Sequence, residues 1–172
     1  RAMLAQGETE FLALRGLVAQ AMRAGDHALA LELAVRAHAS RPESVWAEDA
    51  LFRLHSRRGD WVEAQAALDR LVARRQIDRA LAHKRRAALL VERSRGASAD
   101  QRAEALEQAR RAHDEDPALA PATAQLARLL AASGAKRKAE RLILAAWGAV
   151  PHPELAAIFA GLAGDDPLAR AR

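Results

Sequence analysis

The chain contains no cysteine and no tyrosine, and its aromatic residues are three tryptophans and three phenylalanines. Without cysteine it forms no disulfide, no thiolate metal site and no thiol nucleophile. The sequence also lacks a His-Glu-x-x-His motif, a nucleophilic serine signature and a Gly-x-Gly-x-x-Gly loop. We therefore predict that the protein is not an enzyme, with no catalytic residue, no metal ligand and no cofactor.

Long hydrophobic runs are also missing. The longest stretch without a formal charge runs from Leu142 to Pro153, well short of the roughly 20 residues that cross a bilayer. The sequence begins at Arg1, with no methionine and no signal peptide. We expect a soluble fragment of a longer protein, with no membrane contact of its own.

Helix-breaking residues recur at intervals of seventeen or its multiples along most of the chain. They are Gly25, Pro42, Gly59, Pro117, Gly134 and Pro151. A 34-residue period with a breaker at each half period predicts stacked helix hairpins. Pro42 and Pro117 are 75 residues apart, seven more than two periods. We place these seven extra residues between Ser94 and Asp100, where Gly96 interrupts the helical pattern.

The composition favours helices between these breakers. Alanine makes up about a quarter of the chain, and β-branched residues are sparse. The predicted helices are 10–24, 27–40, 44–58, 61–75, 78–95, 101–115, 121–133 and 136–149, and a last helix starts at Pro153. One position in each period holds a small residue, which lets two helices approach closely; these residues are Ala30, Ala64, Ala105 and Ala139.

The spacing of small residues and prolines is similar to that of the tetratricopeptide repeat, a 34-residue helix hairpin. The matching residues are Ala30, Ala37 and Pro42, then Ala64, then Ala105, Ala112 and Pro117, then Ala139, Ala146 and Pro151. Departures occur at Glu48, where the pattern has Trp, at Gln76, where it has Pro, and at Phe52, where it has a small residue. The resemblance implies an all-α solenoid of antiparallel helix hairpins, wound into a right-handed superhelix.

On this basis residues 1–172 form a single domain of four repeats and a cap. The predicted parts are the end of a truncated preceding repeat (1–9), repeat 1 (10–42), repeat 2 (43–77), repeat 3 with the insertion (78–117), repeat 4 (118–151), a capping helix (152–164) and a tail (165–172). In the capping helix, apolar residues at helical spacing face the preceding hairpin; they are Leu155, Ile158, Phe159 and Leu162.

Residues 14–17, 23–26, 78–79, 84–90 and 149–155 resemble the tetratricopeptide region of bacterial HemY proteins. The resemblance covers most of the chain. It implies a region of an inner-membrane protein, anchored by hydrophobic helices upstream of Arg1, facing the periplasm and linked to haem biosynthesis. An unrelated flavoenzyme, a protoporphyrinogen oxidase, shares the HemY name. Nothing in this sequence supports that activity, because it has no dinucleotide-binding motif.

In tetratricopeptide arrays the first helix of each hairpin lines a concave groove. When those groove positions are transferred to this sequence, the resemblance implies the groove residues Leu12, Arg15, Met22, Arg23, Trp46, Asp49, Arg53, Arg57, His83, Leu90 and Arg128. Arginine predominates, and guanidinium groups grip carboxylates in pairs of hydrogen bonds. We expect a protein partner that presents an acidic segment to this groove. The alternative is that Trp46 packs on the neighbouring hairpin and the arginines are simply solvated.

Two other functions stay open. The net charge is +5, and basic clusters lie at 74–75, 83–86, 110–111 and 136–138, so a nucleic-acid-binding module is the first alternative. Arginine outnumbers lysine 24 to 3, a bias that a GC-rich genome produces without any binding role. The second alternative is a haem- or porphyrin-handling protein, because His38 and His113 occupy equivalent places in two repeats.

Overall fold

The computed structural model describes residues 2–162, with side chains from residue 8 onward, so the predicted tail at 165–172 lies outside it. Within that range the chain forms nine α-helices and no strand. They are α1 (Ala2–Arg23), α2 (His27–Ser40), α3 (Val45–Arg58), α4 (Trp61–Ala73), α5 (Arg79–Arg95), α6 (Arg102–Glu115), α7 (Ala120–Ala132), α8 (Lys136–Trp147) and α9 (Pro153–Leu162). The all-α prediction is confirmed, and consecutive helices pack as hairpins of the solenoid type from α1 to α4 and from α6 to α9.

Glycine ends three of these helices in the left-handed region that other residues avoid. The φ angles are +76° at Gly25, +79° at Gly59 and +83° at Gly134. In each turn the next N–H donates to a carbonyl five residues back: Asp26 to Ala21 (2.9 Å), Asp60 to His55 (3.0 Å) and Ala135 to Leu130 (2.8 Å). These bonds satisfy the last carbonyls of each helix and reverse the chain into the next one.

Arginine occupies the same backbone conformation after α4. Arg75 has a φ of +54°, and the N–H of Gln76 donates to the carbonyl of Leu71 at 2.8 Å. The turn therefore forms without glycine or proline, at the place where Gln76 departs from the repeat pattern. A residue other than glycine in this left-handed backbone conformation costs roughly 1–2 kcal/mol of stability.

The first helix begins earlier than its predicted start at residue 10. It is continuous from Ala2 and so includes residues 2–9, where the prediction placed the end of a truncated preceding repeat. The reason is visible in the sequence, since no proline and no Gly-Asp turn precedes residue 25. Gly7 alone does not stop a helix, because a single interior glycine costs only about 1 kcal/mol relative to alanine.

The predicted insertion is divided between a longer helix and a loop. The helix α5 has 17 residues where α3 has 14, and a 3-10 turn at Ala99–Gln101 leads into α6. Ser98 caps this turn and donates its hydroxyl to Asp100 at 2.6 Å. That hydrogen bond lowers the pKa of the Asp100 carboxyl.

The chain divides into two compact units, Arg1–Ala82 and His83–Arg172. In the first, α1 packs on α2, α2 on α3 and α3 on α4. Ala30 and Ala64 are completely buried where these helices approach each other. Large apolar side chains fill the space around them; they are Phe11, Leu14, Leu31, Leu51, Leu54, Leu68 and Leu71.

In the second unit, α6 packs on α7, and α7 and α8 both pack on α9. Leu155 and Leu162 of α9 join Ile143 and Ala139 in one buried cluster, against which Ile158 and Phe159 pack. The small residues Ala105 and Ala139 are 3% and 0% exposed. All four small positions are therefore buried, as their spacing predicted.

Candidate functional site

A groove of about 710 Å³ runs between α1 and α3 in the first unit. Its lining residues on α1 are Leu12, Arg15, Gly16, Val18, Ala19 and Met22, and those on α3 are Trp46, Ala50, Arg53, Leu54 and Arg57. Both sets follow helical spacing, so one stripe of each helix forms a wall. Six residues predicted from the repeat resemblance lie here together: Leu12, Arg15, Met22, Trp46, Arg53 and Arg57.

Small residues on the two facing helices make this groove deep. Gly16 has open space where a side chain would project, since a Cβ added there would meet no atom within 4 Å. Ala19 and Ala50 add only methyl groups to the lining. The sequence prediction missed these residues, although Gly16 and Ala19 follow Leu12 and Arg15 at intervals of four.

Arg15 is held over the indole of Trp46. Its guanidinium carbon lies 5.6 Å from the ring centroid, within the range of a cation–π contact. The indole also meets Phe11 edge to face, with centroids 5.8 Å apart. Trp46 therefore packs on the neighbouring hairpin, as the alternative interpretation held, and it also lines the groove.

The two arginines of α3 are placed by partners beside the groove. Arg53 pairs with Asp49 at 3.0 Å, one helical turn away. Arg57 lies 3.5 Å from Nε2 of His27 at the start of α2. Asp49 and Arg23, both predicted as groove residues, are not among the lining residues. The described lining includes three arginines and no acidic residue. Because Asp49 pairs with Arg53 from just outside it, the positive charge that favours an anionic ligand comes mainly from Arg15 and Arg57.

The predicted groove residues of the second unit have other contacts. His83 shares a hydrogen bond of 2.6 Å with Glu115, and Arg128 donates to Glu154 at 2.6 Å. Leu90 is 6% exposed and packs with Val91, Ala112 and Ala122. Because a side chain buried in this way presents almost no surface to a partner, we leave Leu90 out of the site.

A buried carboxylate lies at the place where the repeat pattern has tryptophan. Glu48 on α3 is 0% exposed, and both its oxygens accept from Nε of Arg70, at 2.7 and 2.9 Å. Arg74 lies 3.6 Å from the same carboxylate and donates to the backbone oxygen of Pro42. Buried charge is tolerated when it is paired and hydrogen-bonded in this way.

The two histidines considered for haem or metal have protein neighbours instead. Nδ1 of His38 lies 3.6 Å from the Glu48 carboxylate, and Nδ1 of His113 lies 3.0 Å from the hydroxyl of Thr123. Among the residues that the structure describes, no group of three or more His, Asp or Glu side chains is arranged to hold a metal ion.

Ion pairs account for part of two basic clusters. Arg74 contacts Glu48, and His83 and Arg86 both contact Glu115, at 2.6 and 3.4 Å. Charges paired within the fold attract a phosphate backbone less than free ones do. Within residues 2–162, no helix has the length and apolar character needed to cross a membrane.

The fold can be compared with solved structures. A tetratricopeptide repeat protein from Parabacteroides merdae matches with a TM-score of 0.62 at 16% identity, over 91% of this chain and 61% of that chain. The fold is of the tetratricopeptide type. A thermophilic TPR protein in Thermus thermophilus matches at 24% identity over 88% of this chain and 80% of that one, with a TM-score of 0.47.

Sequence comparison adds nothing to this structural likeness. The chain matches no family model, and no curated protein is significantly similar to it. It spans about three fifths of the length of the Parabacteroides protein. The tetratricopeptide fold is typical of protein-interaction scaffolds, whose repeats present extended binding surfaces.

Proposed function

We propose that this chain is a non-catalytic scaffold whose groove between α1 and α3 binds an acidic segment of a protein partner. The observation that carries the proposal is the charge of the groove: Arg15, Arg53 and Arg57 line it without an acidic residue among the described lining. Arginine binds carboxylates through paired, charge-assisted hydrogen bonds. The apolar anchors are Leu12, which is 62% exposed, and Met22.

The depth of the groove specifies the segment further. Gly16 and Ala19 leave room in the lining, because a Cβ on Gly16 would meet no atom within 4 Å, and we expect a bulky apolar side chain of the partner to pack there. Acidic residues on either side of it reach the arginines of the rim. The proposed ligand is therefore an acidic segment with one large apolar residue, and interfaces of this kind depend on such a buried anchor.

Charge reversal tests the electrostatic part. Replacing Arg53 and Arg57 together by Glu should weaken binding of the partner segment by at least about 2 kcal/mol, because the new carboxylates repel it. Isothermal titration with an acidic peptide carrying one central tryptophan measures the change. The matched control reverses the exposed pair Arg110 and Arg111 on α6, and equal loss in both variants would contradict the groove assignment.

Filling the floor tests the steric part. Gly16→Leu should abolish binding of the same peptide while raising thermal stability, since leucine favours helix over glycine by about 1 kcal/mol and meets open space here. Gly161→Leu on α9 is the control, because that glycine also faces open space and lies outside the groove. Tight peptide binding by Gly16→Leu would show that nothing enters the groove at this point.

The resemblance to HemY proteins supports a more specific proposal. In it, this chain is the interaction region of a membrane-anchored protein associated with haem biosynthesis, and its partners belong to that process. Crosslinking in membranes that contain the full-length protein tests this, with the Arg53→Glu, Arg57→Glu variant as control. Recovery of partners without any link to tetrapyrrole synthesis would contradict it.

A further inference from the structure

A second cavity lies in the second unit, beside His113. It measures about 400 Å³. Four residues of α8 and its C-terminal turn form one wall, namely Leu142, Ala145, Ala146 and Ala149, and the turn between α6 and α7 forms the other with Asp116, Pro117 and Ala118. The cavity is apolar except for His113 and the Asp116 carboxylate. It has no part in the groove described above, which belongs to the first unit.

The same place exists 75 residues earlier in the chain, where it is filled. The helices α2 and α6 have identical lengths at this offset, and α3 and α7 begin at equivalent residues. At this offset Ala145 corresponds to Arg70, Ala149 to Arg74, and Pro117 to Pro42. The first unit thus places two guanidinium side chains where the second has only methyl groups.

The contacts of Arg74 show how a guanidinium group is accommodated there. It donates to the backbone oxygen of Pro42, in the turn that corresponds to the cavity wall of the second unit. Arg70 and Arg74 also meet the carboxylate of Glu48, at 2.7 and 3.6 Å. In the first unit one backbone oxygen and one buried carboxylate therefore hold the two guanidinium groups, and the residue that carries that backbone oxygen corresponds to Pro117 in the second unit.

The charged residues around this place differ in the second unit, and the difference favours binding an arginine that belongs to another molecule. Thr123 replaces Glu48 and shares a hydrogen bond with His113 at 3.0 Å, so no carboxylate is left buried without a cation. Asp116 stands where the first unit has Arg41, which reverses the charge at the rim. Its Oδ1 accepts from the N–H of Ala118 at 3.1 Å, which fixes the carboxylate beside the cavity.

We propose that this cavity binds an arginine side chain presented by a protein partner. The aliphatic stem lies on Leu142 and the alanines of the α8 wall, and the guanidinium group meets the Asp116 carboxylate and the backbone oxygen of Pro117. A planar guanidinium donates to two acceptors at once, whereas the ammonium of lysine acts as a point charge. A purely apolar side chain would gain nothing from the Asp116 carboxylate.

Capped peptides test the proposal by NMR on the 15N-labelled protein. The probes are acetyl-Gly-Arg-Gly-amide and the same tripeptide with citrulline, lysine or leucine at the centre. The arginine peptide should shift the amide resonances of His113, Ala118 and Ala149, and the shifts should saturate. It should bind about tenfold more tightly than the citrulline peptide, which has the same shape without the charge. Equal affinity for the leucine or citrulline peptide overturns the proposal.

Two variants locate the binding. Asp116→Asn should weaken binding of the arginine peptide about tenfold, because the hydrogen bond from the guanidinium group then goes to a neutral amide oxygen instead of a carboxylate. Ala149→Arg should abolish the shifts by filling the cavity as Arg74 fills its equivalent. Leu144→Arg is the matched control, since Leu144 is on α8, 60% exposed and not a lining residue. Binding that survives Ala149→Arg, or is lost equally in the control, places the site elsewhere.

Free L-arginine distinguishes a protein partner from a small molecule. The capped peptide should bind at least as tightly as the free amino acid, because its neutral ends resemble a segment of chain. Tighter binding of free arginine would make this a site for the amino acid and overturn the protein-partner assignment. The outcome of the peptide and free-arginine experiments does not depend on the groove between α1 and α3, because the groove and this cavity share no lining residue.

Discussion

Residues 27–74 and 102–149 have three corresponding helices whose first residues are each 75 positions apart, but different side-chain contacts hold those helices together. The first stretch buries a carboxylate, Glu48, between two arginines. The second has Thr123 at that place, hydrogen-bonded to His113, with alanines where the arginines were. The small residues Ala64 and Ala139 are fully buried in both.

The comparison separates what determines the hairpin from what varies between its copies. The turns at Gly59 and Gly134 and the buried alanines recur, so backbone reversal and close helix approach define the shared frame. The charge network does not recur. The ion pair therefore serves the first stretch alone, and its removal should be tolerated only if both charges are removed together.

The largest effect is expected from breaking the buried pair on one side. Arg70→Met should destabilise the protein by about 3 kcal/mol, because the Glu48 carboxylate stays buried and loses its closest cation. Urea denaturation followed by circular dichroism measures it. The double variant Glu48→Met with Arg70→Met should recover most of the loss, and a double variant as unstable as the single one would mean that the first stretch needs the ion pair to fold.

An intermediate effect is expected at the recurring small positions. Ala64→Leu and Ala139→Leu should each cost about 1–3 kcal/mol, because neither buried site has room for three more carbons. Similar shifts in thermal melts would confirm that the two stretches share one packing rule. An unchanged melting temperature in either variant would show that its helix pair is looser than the other.

The smallest effect is a gain in stability. Arg75→Gly should stabilise the protein by about 0.5–1 kcal/mol, since glycine adopts a φ of +54° without a steric penalty. The residue 75 positions later is Val150, which directly follows the second stretch as Arg75 follows the first, and it has no positive φ. Val150→Gly should therefore give no gain. Melting curves for both variants provide the measurement, and stabilisation by Val150→Gly would contradict the explanation.

The helix boundaries were predictable because glycine and proline mark them locally. The start of α2 at His27 and the extra residues near Gly96 followed directly from those markers. The start of α1 could not be predicted, because no residue from 2 to 10 clearly begins or stops a helix. The turn at Arg75 has no glycine or proline to mark it, and only the repeat period predicted a break there.

The groove was predictable in part. The resemblance to the repeat placed Arg15, Trp46 and Arg53 on facing helices, where the structure has them. It did not show the open space at Gly16, because the repeat pattern predicts which side chains line the groove and not where a side chain is absent. The sequence marked Glu48 as a departure, yet its partners Arg70 and Arg74 lie 22 and 26 positions away and meet it only through packing.

Glu48 also bears on how the chain avoids pairing the wrong helices while it folds. Similar repeats in one chain can exchange partners, a characteristic failure of repeat proteins. If α3 paired with α8 instead of α4, its buried carboxylate would face Ala145 and Ala149 and would have no cation at those two positions. The reverse error, α7 against α4, leaves without a partner only arginines that are more than a third exposed. Of these two mispairings, the first therefore costs more, because a buried charge needs its partner more than an exposed one does.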